Sequence, residues 1–226
     1  MTPLLTADER TALITAGQVR LPGILAWPRQ ASGMVLFVHG SGSGRLSPRN
    51  AAVAQQLRAA GLGTLLFDLL TEVEAADRRN VFDIDLLSER LLAATIWLSR
   101  QPETTGLPLG YFGASTGAAA ALKAAAASPI DIAAVVLRGG RPDLAGDALR
   151  RVRAPTLLLV GSRDPVVLDL NQMALAQLTS CFARLVVIPG ASHLFEEPGT
   201  LEEAGRLAAA WLVQHLARQP SVGSHS

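Results

Sequence analysis

The hydrophobic residues of the chain fall into short apolar runs separated by segments of helical periodicity. Six runs of six or seven residues have the length expected of buried strands. They lie at about residues 34–39, 63–69, 108–113, 132–138, 155–161 and 184–189. Helices are predicted at about residues 47–60, 83–100, 116–127, 166–179 and 200–217. This alternation predicts an α/β fold with a mostly parallel sheet and helices on both faces.

The residues before the first of these strands carry turn signals instead of helical periodicity. Ala16-Gly17-Gln18 is typical of a turn, and Pro22-Gly23 is a second interruption. We therefore expect residues 12–27 to form an antiparallel hairpin at the edge of the sheet. Farther along, Pro48 in the first turn of a predicted helix and Gly61 just beyond its end fit the usual start and stop signals.

Composition and charge limit the classes of function. The chain has 226 residues and is 49% hydrophobic, so we expect one domain over residues 1–218 and a flexible tail over residues 219–226. Its 20 basic and 19 acidic residues leave a net charge of +1, which favours neither nucleic acid nor a membrane surface. No apolar run suits a signal peptide or a membrane span, and Cys181 is the single cysteine, so a cytoplasmic location is expected. Cys181 is interpreted as a small buried hydrophobic residue.

The most informative motif is Gly113-Ala114-Ser115-Thr116-Gly117, between a predicted strand and an Ala-rich helix. This GxSxG pattern is typical of a nucleophile elbow, in which a strained strand-to-helix turn exposes the serine hydroxyl. The two glycines leave room for the strand and the helix to approach each other. The pattern also arises by chance, so its meaning depends on partners for Ser115.

Candidate partners for the serine lie later in the chain. A serine hydroxyl needs a base that takes its proton and an acid that orients the base. Asp164 follows the fifth predicted strand and His193 follows the sixth. Either residue alone fits an ordinary turn or surface position. All three residues fall at carboxyl ends of strands, in the order used by hydrolases of this topology, so a Ser115, Asp164 and His193 triad is predicted. Asp68, at another strand end, is a rival acid.

A glycine-rich turn, Ser41-Gly42-Ser43-Gly44, follows the first predicted strand. Acyl transfer needs two N–H donors aimed at the oxygen that gains charge, one after the nucleophile and one from such an early loop. We assign the amides of Thr116 and Ser41, with Gly42 as the alternative to Ser41. A phosphate-binding loop is the rival interpretation, but neither the lysine of a P-loop nor a GxGxxG pattern is present. His39 is predicted to be structural.

These motifs resemble the α/β-hydrolase superfamily, and in particular its small dienelactone-hydrolase-like members. The resemblance covers about residues 30–217 and is carried by His39-Gly40-Ser41-Gly42-Ser43-Gly44, the elbow at Ser115, Gly161-Ser162-Arg163-Asp164 and Gly190-Ala191-Ser192-His193-Leu194-Phe195. It implies an α/β-hydrolase fold and favours Asp164 over Asp68 as the acid. Some relatives carry this domain fused to a phosphoribosyltransferase domain, and we expect no such domain here. Dienelactone hydrolases have a cysteine nucleophile where this elbow has serine, so the resemblance implies general ester chemistry more than dienelactone itself.

Many hydrolases of this fold insert a lid after the fourth of the predicted strands. Here the sixteen residues 138–153 lead to the next strand, which is too few for a cap of several helices. We therefore expect no lid domain and an open, shallow site suited to small or extended polar substrates.

Two pairs of arginines are expected to border this site. Arg45 and Arg49 follow the predicted oxyanion loop, and Arg138 and Arg141 flank Gly139-Gly140 at the carboxyl end of another strand. Arginine binds carboxylate or phosphate through parallel hydrogen bonds, so these four residues predict a preference for anionic substrates. In the alternative interpretation they are solvated or paired with Asp68, Asp143 or Glu72.

The sequence thus predicts a serine hydrolase that cleaves carboxylic esters or lactones through an acyl-enzyme. In this prediction Ser115 attacks, His193 moves the proton and Asp164 orients His193. The expected partner is a small-molecule ester or lactone, with no nucleic acid, membrane, metal or organic cofactor, and the oligomeric state is left open. An acyltransferase or thioesterase with the same triad and a non-catalytic hydrolase-fold binding protein are the alternatives.

Overall fold

A single eight-stranded sheet organises residues 7–217, the part of the chain that the computed structural model describes. The predicted tail at residues 219–226 lies outside the described residues. The strands are β1 (Ala7–Ala16), β2 (Val19–Pro28), β3 (Met34–Val38), β4 (Gly63–Phe67), β5 (Leu109–Ala114), β6 (Ile132–Arg138), β7 (Thr156–Gly161) and β8 (Ala183–Ile188). Their order in the sheet is β1-β2-β4-β3-β5-β6-β7-β8, and all pairs from β4 to β8 are parallel. The six strands predicted from apolar runs are confirmed, with shifts of one or two residues at their ends.

The N-terminal hairpin is also present and is longer than predicted. β1 and β2 pair antiparallel until Ala16 faces Val19, and Gly17 in the turn between them has a φ of +65°. Pro22-Gly23 does not interrupt the hairpin as expected, but lies inside β2. A side chain on Gly23 would place its Cβ 3.1 Å from the Cβ of Phe67, so this glycine allows β4 to pair closely with β2.

Seven α-helices connect the strands within residues 7–217. They are α1 (Pro48–Ala59), α2 (Glu72–Ala75), α3 (Arg78–Val81), α4 (Ile84–Ser99), α5 (Gly117–Ala127), α6 (Pro165–Leu175) and α7 (Thr200–Leu216). The five longer helices match the predicted ones, whereas α2 and α3 have four residues each, too few to show a periodic pattern. Between β6 and β7 lies a 3₁₀ segment, Pro142–Arg151, and no lid domain is present in the described chain.

The sheet separates two hydrophobic layers. Leu36 points into the layer that contains Leu91 of α4, and its neighbour Phe37 points into the layer that contains Leu212 of α7. Since both faces of the parallel strands are buried, these strands appear in the sequence as continuous apolar runs. Cys181 is half-buried against the first layer, and burial raises the pKa of its thiol. No helix in residues 7–217 has both the length and the hydropathy to cross a bilayer.

Candidate active site

Ser115 occupies a strained turn between β5 and α5. Its φ is +51°, in the left-handed region that residues other than glycine seldom adopt. A Cβ on Gly117 would lie 2.1 Å from the carbonyl oxygen of Val38, and one on Gly113 would lie 2.8 Å from the Cα of Ala118. Neither position therefore accommodates a side chain without a backbone shift. This geometry is that of a nucleophile elbow.

The residue facing the serine across the turn must also be small. A Cβ on Gly40 would lie 2.7 Å from the Cβ of Ser115. Gly40 follows β3, which is the neighbour of β5 in the sheet. The loop after β3 is thus brought directly against the elbow.

Asp164 and His193 form a hydrogen-bonded pair. The distance from Nδ1 of His193 to Oδ2 of Asp164 is 2.7 Å, and the Asp164 side chain is only 15% exposed. A carboxylate can only accept hydrogen bonds, so Nδ1 carries the proton. Nε2 of His193 is then left with a free lone pair, as a general base requires.

The two loops that carry this pair are joined by their backbones. The Arg163 N–H donates to the carbonyl oxygen of Ala191 at 2.9 Å, and the Gly190 N–H donates to Oγ of Ser162 at 2.8 Å. A Cβ on Gly161 would lie 2.2 Å from the same Ala191 oxygen, so only glycine permits this approach. The spacing between Asp164 and His193 therefore depends on backbone contacts as well as on their own hydrogen bond.

Glu197 anchors the His193 loop from the other side. Its Oε2 accepts from the Ser192 N–H at 2.9 Å and from the Ser192 hydroxyl at 3.2 Å. The hydrogen bond from the Ser192 backbone is the main cause that lowers the pKa of Glu197. Glu197 is thus a positioning residue for the loop.

Ser115 and His193 line one cleft of about 180 Å³, together with Gly40, Ser41 and Arg138. Within the described chain no hydrogen bond joins the Ser115 hydroxyl to the His193 ring. In other enzymes such bonds are often long before substrate binds and tighten in the complex. Residues 7–217 contain no group of three or more His, Cys, Asp or Glu side chains placed to hold a metal ion.

The predicted oxyanion donors differ in whether their backbone N–H groups already make a hydrogen bond. The Ser41 N–H donates to Oγ1 of Thr116 at 3.1 Å, so the Thr116 side chain links the loop to the elbow. The amides of Thr116 and Gly42 have no partner among the residues described here. Gly42 has a φ of +68° and open space around its Cα. Thr116 and Gly42 therefore present free amides. The Ser41 N–H already donates to the Thr116 hydroxyl, so it would have to donate to that oxygen and to the substrate oxygen at once.

His39 and Asp68 hold the loop after β3, which carries Ser41 and Gly42, through hydrogen bonds. The Leu69 N–H donates to Nε2 of His39 at 3.0 Å, and Nδ1 of His39 lies 3.0 Å from the Gly40 carbonyl oxygen. Burial holds the pKa of His39 below its ordinary value, so the ring is neutral, with the proton on Nδ1. Asp68 accepts from the Arg45 backbone N–H at 2.7 Å and also pairs with the Arg45 guanidinium. Asp68 is therefore occupied by Arg45, while His193 pairs with Asp164.

The four arginines singled out in the sequence divide into two groups. Arg45 is paired with Asp68, and Arg141 forms two hydrogen bonds with Asp143, at 2.9 and 2.8 Å. These two follow the alternative interpretation of paired charges. Arg49 and Arg138 both line the serine cleft, and the contact of Arg49 with Glu196 is a long one of 3.7 Å.

Arg138 is the unusual member of the set. It is 7% exposed, and its guanidinium carbon lies 5.9 Å from the ring centre of Phe112 and 5.8 Å from that of Phe195. Its Nη1 has no hydrogen-bond partner in the described part of the chain. Burial, assisted by the nearby charge of Arg49, lowers the pKa of Arg138 to about 10, so the side chain is still a cation at neutral pH.

Asn50 is a cleft residue that sequence reasoning missed. It is 3% exposed, lines the cleft with Ser115 and Arg138, and its Oδ1 has no partner among residues 7–217. In the sequence it is a polar residue in the first turn of a helix, where solvent exposure is the usual outcome. Its position just after the loop that follows β3 was the clearer indication that it lies at the site. Asn50 and Arg138 are thus two buried polar side chains with unused hydrogen-bonding capacity beside Ser115.

The chain is similar to several known proteins. No protein-family model matches the chain. Over 209 residues, 92% of the chain, it is 58% identical to a Mycobacterium tuberculosis protein named "Putative phosphoribosyl transferase". The chain spans only 47% of that relative, about half its length. Est1E from Butyrivibrio proteoclasticus shares the fold, with a TM-score of 0.76 and 17% identity over 92% of this chain and 99% of that one.

A second solved structure matches the chain at high identity and over nearly its whole length. The crystal structure of dienelactone hydrolase from Anabaena variabilis matches with a TM-score of 0.90 and 53% sequence identity. The match covers 93% of this chain and 99% of that one, so nearly the whole relative is represented. On this identity and coverage the chain belongs to the dienelactone hydrolase family of α/β hydrolases.

Proposed function

We propose that the protein is a serine hydrolase that cleaves carboxylic esters or lactones through an acyl-enzyme. The observation that carries this proposal is the 2.7 Å pair of His193 and Asp164, in which His193 lines the same cleft as Ser115 in its strained elbow. Esterases and dienelactone hydrolases among the structural relatives support hydrolase chemistry for this fold.

The mechanism uses groups already described. Nε2 of His193 takes the proton of the Ser115 hydroxyl as Oγ attacks the ester carbonyl, and Asp164 stabilises the imidazolium that forms. The carbonyl oxygen gains charge and is held by the Thr116 amide together with Gly42 or Ser41. His193 then gives its proton to the leaving alcohol, and an acyl-enzyme remains on Ser115. A water molecule, deprotonated by His193, releases the acid and restores the serine.

The first experiment tests the nucleophile. Ser115→Ala should lower kcat for p-nitrophenyl acetate by more than about 10⁴-fold, since loss of a triad serine removes nucleophilic catalysis. The wild-type protein should form a covalent adduct with a fluorophosphonate probe, and the labelled peptide should contain Ser115. Ser99→Ala, at the far end of α4, is the matched control and should behave as wild type. Unchanged hydrolysis by Ser115→Ala would end the proposal, and products formed with competing alcohols would identify an acyltransferase.

Arg138 extends the proposal to anionic substrates. In the sheet order, β6 and β8 lie on the same side of β5, so Arg138 and His193 are on the same side of the nucleophile. Because His193 must protonate the leaving group, an anionic leaving group would lie near Arg138. A buried guanidinium without an acidic partner gains most from a carboxylate that shares its low-dielectric environment.

Phenyl acetate and 3-acetoxybenzoate test this preference because they differ by one carboxylate on the leaving group. Arg138→Met should lower the ratio of kcat/KM for the anionic ester over the neutral one by at least about tenfold, equivalent to about 1.4 kcal/mol. Arg150→Met, an exposed arginine outside the cleft, is the control. The same ratio in wild type and Arg138→Met would refute the anionic preference and leave the hydrolase proposal intact.

A further inference from the structure

A second cavity lies on the other side of the loop after β3. Its volume is about 550 Å³, compared with about 180 Å³ for the serine cleft. It is lined mainly by apolar side chains that follow β4 and extend into the first turn of α4, namely Leu69, Leu70, Ala75, Val81, Phe82 and Leu87. A cavity of this size and lining is typical of a site for a small organic group.

The cavity adjoins the reacting centre. Gly40, Ser41 and Ser43 line both the cavity and the serine cleft, so the predicted oxyanion loop is their common wall. A carbonyl group held by that loop over Ser115 would have one substituent at the edge of the larger cavity. The serine cleft has about one third of the volume of the cavity, and the leaving group beside His193 and Arg138 already occupies part of it.

The order of the strands indicates whether the acyl part or the alcohol part of the ester lies toward the cavity. The cavity lies beyond β3 and β4, whereas Asp164 and His193 follow β7 and β8 on the opposite side of β5. His193 must reach the leaving oxygen in order to protonate it, so the alcohol part lies on its side. The acyl part then extends away from His193, across the loop and toward the cavity.

The charges around the cavity favour a neutral group. Asp68 and Glu72 border it with Arg78, but the Asp68 carboxylate is already occupied by Arg45. Leu69 and Leu87 are almost fully buried in the wall, and Phe82, at 48% exposure, leaves an apolar ring at the entrance. Arg78 is exposed at the rim beside the Phe82 ring, and the charge of Glu72 opposes its own. An acyl carboxylate held deeper, against the buried leucines, would be desolvated without a cation beside it.

From these observations we infer that the cavity under α2 and α3 is the acyl-binding site and takes an uncharged aryl or medium-length alkyl group. This inference rests on the proposed hydrolase function and specifies its substrate class. The substrate is then an ester with an apolar acyl part in this cavity and its alcohol part beside His193.

The test uses p-nitrophenyl acetate, hexanoate and benzoate, which share a leaving group and differ only in the acyl part. Ala75→Trp places an indole in the cavity and should lower kcat/KM for hexanoate and benzoate at least tenfold relative to acetate. Ala76→Trp is the matched control, since Ala76 is the next residue, is also exposed and does not line the cavity. It should leave the three relative values unchanged.

A second pair of variants removes apolar surface instead of adding it. Phe82→Ala should lower the hexanoate-to-acetate ratio several-fold, whereas Val73→Ala, an exposed residue outside the cavity lining, should not. Acetate esters of hexanol and benzyl alcohol test the orientation. Selectivity changes in this alcohol series, with none in the acyl series, would overturn the assignment, as would unchanged ratios in both Ala75→Trp and Phe82→Ala. Absence of wild-type activity on every ester would instead refute the hydrolase proposal.

Discussion

Arg138→Met should make the protein more stable while it weakens the use of anionic esters. Arg138 is 7% exposed, and in the described part of the chain its guanidinium pairs with no carboxylate and its Nη1 has no hydrogen-bond partner. Methionine has a similar length, carries no charge and can fill the space between Phe112 and Phe195. A buried cation that is retained without a partner contributes to binding at the expense of stability.

The size of the effect follows from the pKa of Arg138. Burial lowers it from the ordinary 12.5 to about 10. At about 1.4 kcal/mol per pKa unit, folding with this cation buried costs roughly 3 kcal/mol. Contacts with the two aromatic rings return about 1 kcal/mol, and the methionine sulfur regains part of that. We therefore expect a net gain of about 2 kcal/mol, which is in the range found when unpaired or paired buried charges are replaced by apolar residues.

Urea unfolding followed by circular dichroism at pH 7.5 measures this gain directly. In thermal unfolding a gain of about 2 kcal/mol corresponds to a rise in Tm of roughly 4–8 °C for a chain of this size. Arg150→Met, which removes an exposed arginine, should stay within about 0.5 kcal/mol of wild type. The anionic product 3-hydroxybenzoate, at ten times its Kd, should stabilise wild type by about 1.4 kcal/mol and Arg138→Met much less.

The opposite sign would refute the reasoning. If Arg138→Met is destabilised by more than about 1 kcal/mol, the guanidinium stabilises the fold and is not an unpaired group that serves to bind a ligand. Equal stabilisation of both proteins by 3-hydroxybenzoate would show that the product binds elsewhere.

Three further predictions concern the triad, the loop support and the elbow. Asp164→Asn should lower kcat for p-nitrophenyl acetate by about 10³–10⁴-fold, whereas Asp68→Asn should lower it much less; the reverse order would make Asp68 the acid. Because burial keeps the pKa of His39 below 6.5, the unfolded chain gains a proton first as the pH falls, so stability should decrease below pH 6.5 by up to about 1.4 kcal/mol per pH unit. In urea unfolding between pH 7.5 and 5, the stability of His39→Gln should therefore depend less on pH than that of wild type. The same pH dependence in both proteins would contradict this role of His39. Gly117→Ala should cost more than about 3 kcal/mol in the same assay, since its Cβ would lie 2.1 Å from a carbonyl oxygen; a loss below 1 kcal/mol would mean that the helix shifts freely.

The strands and the elbow could be predicted because their signals are local. A parallel strand covered on both faces must be apolar at consecutive positions, and a run such as Val35-Leu36-Phe37 satisfies this within its own sequence. The turn at Ser115 requires glycines at fixed offsets, and those offsets are visible without any knowledge of distant residues. The two short helices α2 and α3 escaped prediction because four residues are too few to establish a period.

The arginines show where local signals end. Arg45 and Arg138 both lie near the carboxyl ends of strands, and nothing in the sequence around them shows which of the two is paired. Arg45 pairs with Asp68, which is 23 residues away, whereas Arg138 contacts two aromatic rings and pairs with no acid within residues 7–217. Whether a charge is paired depends on which distant side chain reaches it. The residues that neighbour an arginine in the sequence therefore do not predict its partner.

The sequence by itself determined the parallel sheet, the elbow at Ser115 and the order in which Asp164 and His193 follow it. Tertiary structure decided that Asp164 pairs with His193, that Asn50 and Arg138 are buried with unused polar atoms, and that α2 and α3 wall an apolar cavity. Secondary structure arises from interactions over a few residues, so it leaves a pattern in the chain. Pairing, burial and cavity shape arise from loops that meet across the carboxyl edge of the sheet, and these exist only when the whole fold brings them together.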